Sequence, residues 1–193
     1  MISDITSQDI HIDPVVKTRQ GNNARFCQVY CSLKEIQHTS CDRPLVSPYG
    51  ISMKYAADGG KLTLDLTVDE NVRAWGEMVD ALIIKTAQEN CVDWFGSVKS
   101  VDELTAMYSP LIRQSNPAYS PTIRMKVHRN NQNIIDYDSK AALTPCAIKK
   151  GSTVVPVCSL GSIWFMGRHS FGITLNASRL AVISVEPSEY TWI

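Results

Sequence analysis

The sequence has no net charge: 19 Lys and Arg balance 19 Asp and Glu over 193 residues. That excludes a protein held to nucleic acid or a membrane by bulk charge, so any such attachment must come from local patches. No run of about 18 apolar residues exists to span a bilayer. The opening MISDITSQDIHID is polar and acidic where a secretory signal is basic and then apolar. An intracellular protein without a membrane partner is expected. No glycine-rich phosphate loop is present, since Gly59 and Gly60 close a turn with no Lys-Ser or Lys-Thr at the required spacing. The four histidines, His11, His38, His128 and His169, fall in no nucleophile or metal motif. Asp136 and Asp138 share a strand face and could hold Mg²⁺, but such pairs are more often simply solvated. No enzymatic activity and no cofactor are expected.

Six cysteines without a secretory signal read as reduced thiols rather than a disulfide framework. Cys27, Cys31, His38 and Cys41 are the candidate zinc ligands, in a spacing that matches no knuckle or ribbon. Within a strand over Ala24 to Leu33 the residues Cys27, Val29, Cys31 and Leu33 share one face, which favours cysteine acting as a small hydrophobe.

What is present is apolar substance, 44% of residues, enough to bury the core of a single domain over 1–193. Residues 1–23 lack periodicity and read as an N-terminal arm or edge segment. Glu35 to Pro48 reads as a loop. Ile51, Met53 and Tyr55, then Leu62, Leu64, Leu66 and Val68, alternate about an Asp58-Gly59 turn and predict a β-hairpin. The period then changes. Val72, Trp75, Met78, Val79, Leu82 and Ile83 recur at helical intervals, with Thr67 and Glu70 as a capping box and an end near Asn90. A second box, Ser100 with Glu103, opens a shorter helix that Pro110 ends. Together these predict a two-helix insertion over about 67–109, with Trp94 and Phe95 plugging the dock between helices and sheet.

Thr122 to Arg129 is apolar on one side (Ile123, Met125, Val127) and basic on the other (Arg124, Lys126, His128). Residues 111–150 hold seven Lys or Arg against two acids, and residues 58–110 hold four against ten. Neutrality therefore conceals a basic sheet face and an acidic helical layer. Ile134 to Tyr137 reads as the return strand of a hairpin. Lys149 to Glu186 reads as two long β-runs meeting at a turn near Gly167 to Ser170, with Phe171, Ile173, Leu175 and Ala177 on one face. The class expected is mainly β, an OB-fold-like barrel with a helical insertion; a sandwich would show much the same pattern.

WFG (Trp94 to Gly96), MYSPLIR (Met107 to Arg113), YSPTIRMKV (Tyr119 to Val127), IKKGSTV (Ile148 to Val154) and SIWFMGRHSFGIT (Ser162 to Thr174) resemble a family of proteins of large double-stranded DNA viruses. That family is similar to the single-stranded DNA-binding proteins of phage replication, which have an OB fold. The resemblance covers about Tyr49 to Val185. It implies binding of single-stranded DNA in replication, recombination or repair, at sites of viral DNA replication in the infected host cell. Viral replication proteins are further partners it implies, and a homo-oligomer stays open. Phage binders finish with an acidic tail that recruits enzymes, whereas this sequence ends VEPSEYTWI. Either recruitment uses another surface, such as the acidic helical layer, or the resemblance is to the fold and not to the whole function.

Single-strand binding needs cations along phosphates and flat rings under bases. The candidates for phosphate contact are Arg124, Lys126, His128, Arg129, Lys149, Lys150 and Arg168, with Lys54 as an outlier. Trp164 is favoured for stacking because Ile163 and Phe165 share the other face. Phe165 is the alternative, since parity alone does not say which face is core; Tyr137 and Tyr119 follow. A competing reading is a virion or scaffold protein whose barrel binds protein through Tyr190, Trp192 and Ile193.

Overall fold

The computed structural model describes residues 5–19, 24–31, 36–37, 44–52, 61–114 and 116–183. In chain order the strands are β1 (Ile10–Ile12), β2 (Lys17–Thr18), β3 (Arg25–Cys27), β4 (Val29–Cys31), β5 (Ile36–Gln37), β6 (Leu45–Val46), β7 (Ile51–Ser52) and β8 (Leu62–Thr67). Three helices follow: α1 (Glu70–Glu89), α2 (Cys91–Phe95) and α3 (Val101–Met107). The remaining strands are β9 (Tyr108–Ser109), β10 (Ile112–Arg113), β11 (Thr122–Val127), β12 (Ile134–Asp136), β13 (Thr153–Met166) and β14 (Ser170–Ile183). The core is mainly β with an inserted helical block, an OB-fold-like layout.

β13 and β14 pair antiparallel from the turn at Gly167 back to Thr153 and Ile183. On β14 the predicted alternation holds, with Phe171, Ile173, Leu175 and Ala177 buried and Thr174, Asn176 and Ser178 half-buried. On β13 it does not run through. Val154, Pro156 and Cys158 are buried, then Ile163 and Phe165. The register slips between Leu160 and Ile163, where β13 places Gly161 and Ser162 against the single residue Thr174. An added residue of this kind bends a strand and inverts its alternation. A Cβ at Gly161 would lie 2.7 Å from Asn176 Nδ2 and 2.8 Å from the Thr174 carbonyl, so the bulge needs a glycine. After the bend, β13 exchanges partners: its first half pairs with β5 and β6, its second with β3.

β14 lies parallel to β11 (Lys126 opposite Asn176) and then to β12 (Ile134 opposite Leu180). The expected β11–β12 hairpin therefore does not form. The Asn131 and Asn133 side-chain amides donate to the Ala177 and Ser178 carbonyls, and the Leu180 N–H donates to the Asn133 carbonyl. These bonds lay the link along β14 instead of reversing it. β11 pairs antiparallel with β8, and β8 with β7, as the alternating runs require; the Asp58-Gly59 turn between β7 and β8 lies outside the described residues. Among the described residues no ladder joins β8 to β6. Thr67 spans that gap, its hydroxyl accepting from the Val46 N–H and donating to the Val46 carbonyl, both at 3.2 Å.

With its hydroxyl so engaged, Thr67 is not the cap of α1. The cap is Asp69, two residues on, whose carboxylate accepts from the Val72 N–H at 2.9 Å. The Ser100–Glu103 capping box forms as predicted, and the helix it opens gives way to β9 at Tyr108, before Pro110. Between the two predicted helices of the insertion, Cys91–Phe95 coils into a further short turn ended by Gly96 at φ 80°. α1 crosses close to β10 at Gly76, where a Cβ would lie 2.6 Å from Ile112 Cδ1. Trp94 is fully buried, edge-on to Phe165 and Phe171, with its indole N–H donating to the Pro14 carbonyl at 2.8 Å. Residues 5–19 run along the fold as an edge segment: Ile10 and Ile12 are buried in β1, and β2 extends the sheet beside β3. The single strand expected over Ala24 to Leu33 splits at Gln28, whose carbonyl accepts from the Asp13 N–H.

Asp80 of α1 fastens the segment that follows α3. Its carboxylate accepts from the Tyr108 hydroxyl at 2.7 Å and the Leu111 N–H at 3.1 Å. Burial pushes its carboxyl up to about 6, against the pull of those bonds.

Two outcomes follow. Trp94→Ala should cost about 3–5 kcal/mol in urea unfolding, and a loss below about 1 kcal/mol would show that the plug carries little of the core's stability. For Asp80, the folded protein keeps a proton that the unfolded chain, titrating near 3.8, has already released. Stability should therefore be higher below about pH 4 and fall as pH rises to about 6, by on the order of 2–3 kcal/mol from this group. Asp80→Asn should remove that share of the pH dependence; identical pH profiles for the two proteins would refute it.

Candidate nucleic-acid interface

Five neighbouring strands, β3, β13, β14, β11 and β8, present one outward face. Trp164 sits between Phe26 and Gly172, Lys126 between Thr63 and Asn176, and Arg124 opposite Asp65. The inversion at Gly161 turns Trp164 to this side while Ile163 and Phe165 enter the core. Trp164 is half-buried, and its ring extends over Gly172, where a Cβ would lie 2.7 Å from Cζ2. Phe26, its cross-strand neighbour, is also half-buried and has the Arg19 guanidinium 5.6 Å above its ring.

A groove runs over this face in two lobes of about 630 and 340 Å³, which share Lys126, Trp164 and Thr174. Arg19 and Lys61 bring charge to one lobe, and Arg113 and Arg124 to the other, with no acid among the described residues that line either; Arg25 also borders the first lobe, but its guanidinium donates to the Gly167 and Trp94 carbonyls. Lys61 Nζ donates to Asn176 Oδ1 at 2.8 Å, and Lys126 Nζ to Thr63 Oγ1 at 3.1 Å. Arg124 makes a two-bond fork to Asp65, Nε to Oδ1 at 2.7 Å and Nη2 to Oδ2 at 2.9 Å. Burial, and then the neighbouring Arg124, hold both Arg113 and Lys126 below their usual ranges. Crowded cations that are partly desolvated are what an anion relieves, so the face suits a phosphate chain passing flat rings.

Of the predicted residues, Arg124, Lys126 and Trp164 come together here. Phe165 does not: it is buried among Trp94, Phe95 and Phe171, with the Arg25 guanidinium 5.2 Å from its ring, and is a core residue. His128 and Arg129 are exposed just past β11 and line neither lobe. Arg168 lies against Gly96, where an added Cβ would collide with its guanidinium. Lys149 and Lys150 line a separate cleft. Lys54 lies outside the described residues, as do His38 and Cys41. Cys27 is buried with its thiol pushed up to about 12 by that burial, and its Sγ faces the Pro14 carbonyl. Among the described residues no three His, Cys, Asp or Glu side chains gather to hold a metal. Asp136 closes a turn, its carboxylate accepting from the backbone N–H groups of Asp138 and Ser139 and from the Ser139 hydroxyl.

Sequence reasoning missed Phe26, Arg19, Lys61 and Arg113. For Phe26 the signal was there, because Cys27 and Val29 on the core face put Phe26 on the other. Lys61 likewise shares a face with Thr63 and Asp65. Arg19, just past β2, and Arg113, at the end of β10, reach the groove from two-residue strands that carry no periodic signal.

Among solved structures the chain is similar to the single-stranded DNA-binding protein from bacteriophage Enc34. A C-terminal truncation of that protein is 14% identical, covers 89% of this chain and 95% of that one, and gives a TM-score of 0.49. The same protein untruncated gives 12%, 95%, 96% and 0.47, and its complex with single-stranded DNA gives 14%, 90%, 98% and 0.45. Values this low say nothing of what this chain binds. No curated protein matches it. Residues 51–192 match the model of DUF5871, a family of unknown function, and the chain belongs to that family.

Proposed function

We propose that the protein binds single-stranded DNA without sequence specificity, as a non-enzymatic component of viral DNA replication, recombination or repair. The observation that carries this reading is the placement of Trp164 in a groove lined by cations and, among the described residues, by no acid. Arg113, Arg124, Lys126 and Lys61 serve the phosphates; Trp164 and Phe26 serve the bases. Stacking on rings is indifferent to base identity, because every base has a π-face, and the groove would therefore take mixed sequence. A rigid duplex keeps its bases stacked on one another and has none to offer Trp164. The protein would act where single strands are exposed in the infected cell, with viral replication proteins as neighbours.

Fluorescence anisotropy with labelled oligonucleotides tests this directly. Single strands should bind more tightly than duplex of the same sequence, and the affinity should fall steeply with salt as counterions are released. Absence of binding at low salt would refute the reading. Arg113→Ala with Lys126→Ala should reduce the slope of log affinity against log salt by roughly 0.7 for each phosphate no longer neutralised. Trp164→Ala should weaken binding by about 1–3 kcal/mol with the slope nearly unchanged; if neither variant alters binding, the site lies elsewhere.

A further inference from the structure

A second cleft, of about 250 Å³, lies away from the groove and is lined by Tyr49, Gly50, Ile51, Cys146, Ile148, Lys149 and Lys150. Two turns lock together to build it. The Ile51 N–H donates to the Ile148 carbonyl, Gly151 N–H to the Ser47 carbonyl, and Ser47 N–H to the Ser152 carbonyl. The Ser47 hydroxyl accepts from the Gly50 N–H, and the Ser152 hydroxyl from the Lys149 N–H. Gly50 has φ 71°, and a Cβ there would lie 2.9 Å from both Lys149 C and Lys150 N. No other residue allows that approach without strain.

The positive φ breaks the alternation of the chain entering β7. Tyr49 would otherwise follow Ile51 toward the core, but it is 67% exposed. An exposed ring on a rigid turn, beside two exposed lysines and, among the described residues that line the cleft, no acid, suits base stacking next to a phosphate. We propose that this cleft is a second nucleotide station, holding one base on Tyr49 and its flanking phosphates on Lys149 and Lys150. The station rests on the single-strand reading of the groove and extends it. Lys61 lines the groove just before β8, and two residues on, Thr63 pairs with Ser52 of β7. Tyr49 lies three residues before Ser52, at most roughly 10 Å along the backbone. A strand leaving the groove over β7 arrives at the station.

Cys146 lines this cleft and is exposed, so it reports occupancy. The experiment uses the full chain with oligothymidylates of about 4 and about 16 nucleotides, the range one OB fold occludes. Binding is followed by anisotropy, and iodoacetamide labelling of Cys146 by peptide mass mapping. Both oligomers should bind, and only the longer should slow labelling of Cys146, by about five-fold or more. The variant Tyr49→Ala/Lys149→Ala/Lys150→Ala should lose about ten-fold in affinity for the longer oligomer and none for the shorter. Trp164→Ala should weaken both. A bound long oligomer that leaves Cys146 labelling unchanged, or a triple variant that binds it as tightly as the parent, overturns the station and leaves the groove standing. Failure of both oligomers to bind at low salt overturns both.

Discussion

Of the two slips in the β13–β14 ladder, the one at Gly161 is the constraint on which the rest of the structure depends. Two 14-residue strands paired without a slip would present one unbroken alternation, and a single long ribbon cannot wrap a core. The extra residue bends the ribbon, lets one strand serve different neighbours along its two halves, and exchanges the inward and outward positions of everything beyond it. Trp164 faces out and Phe165 faces in because of a glycine three residues before Trp164. Core and site are thus set by the same local event.

Charge is sorted by layer rather than by amount. The acids of residues 58–110 fall largely on the helices, while the sheet face collects Lys and Arg from strands far apart in sequence. Asp65 is the exception on that face, and it binds Arg124 in a fork. Its effect is to fix the guanidinium plane across the β8–β11 ladder and to moderate the repulsion among Arg113, Arg124 and Lys126. A neutral chain can in this way present a locally cationic groove without the long-range attraction that would hold it to every duplex nearby.

Much of this was legible in the sequence. The alternation of β8, β11 and β14, the periodicity of α1 and the burial of Trp94 and Phe95 were all readable, because each depends on neighbours a few residues away. The failures share a cause. Thr67 looked like a helix cap and is a tether to β6; Ile134 to Tyr137 looked like a returning strand and runs parallel to β14. In both, a side chain bonded to backbone distant in sequence overrode the local pattern. Parity on β13 could not be read through the bulge, since a glycine between Leu160 and Ser162 does not by itself announce an added position. The groove was half legible: Arg124 and Lys126 stand on a periodic strand, whereas Arg19 just follows, and Arg113 ends, a two-residue strand too short to show a period.

Thr67 has a further consequence. Strands β13, β14, β11 and β8 are joined by ladders, and β6 joins β13, so among the described residues the circuit is complete except at one joint, which a single hydroxyl bridges. Parting that joint breaks two neutral hydrogen bonds, on the order of 1 kcal/mol each, where parting any other would unzip a ladder. The molecule has a seam, and a sheet that must deform will yield there first.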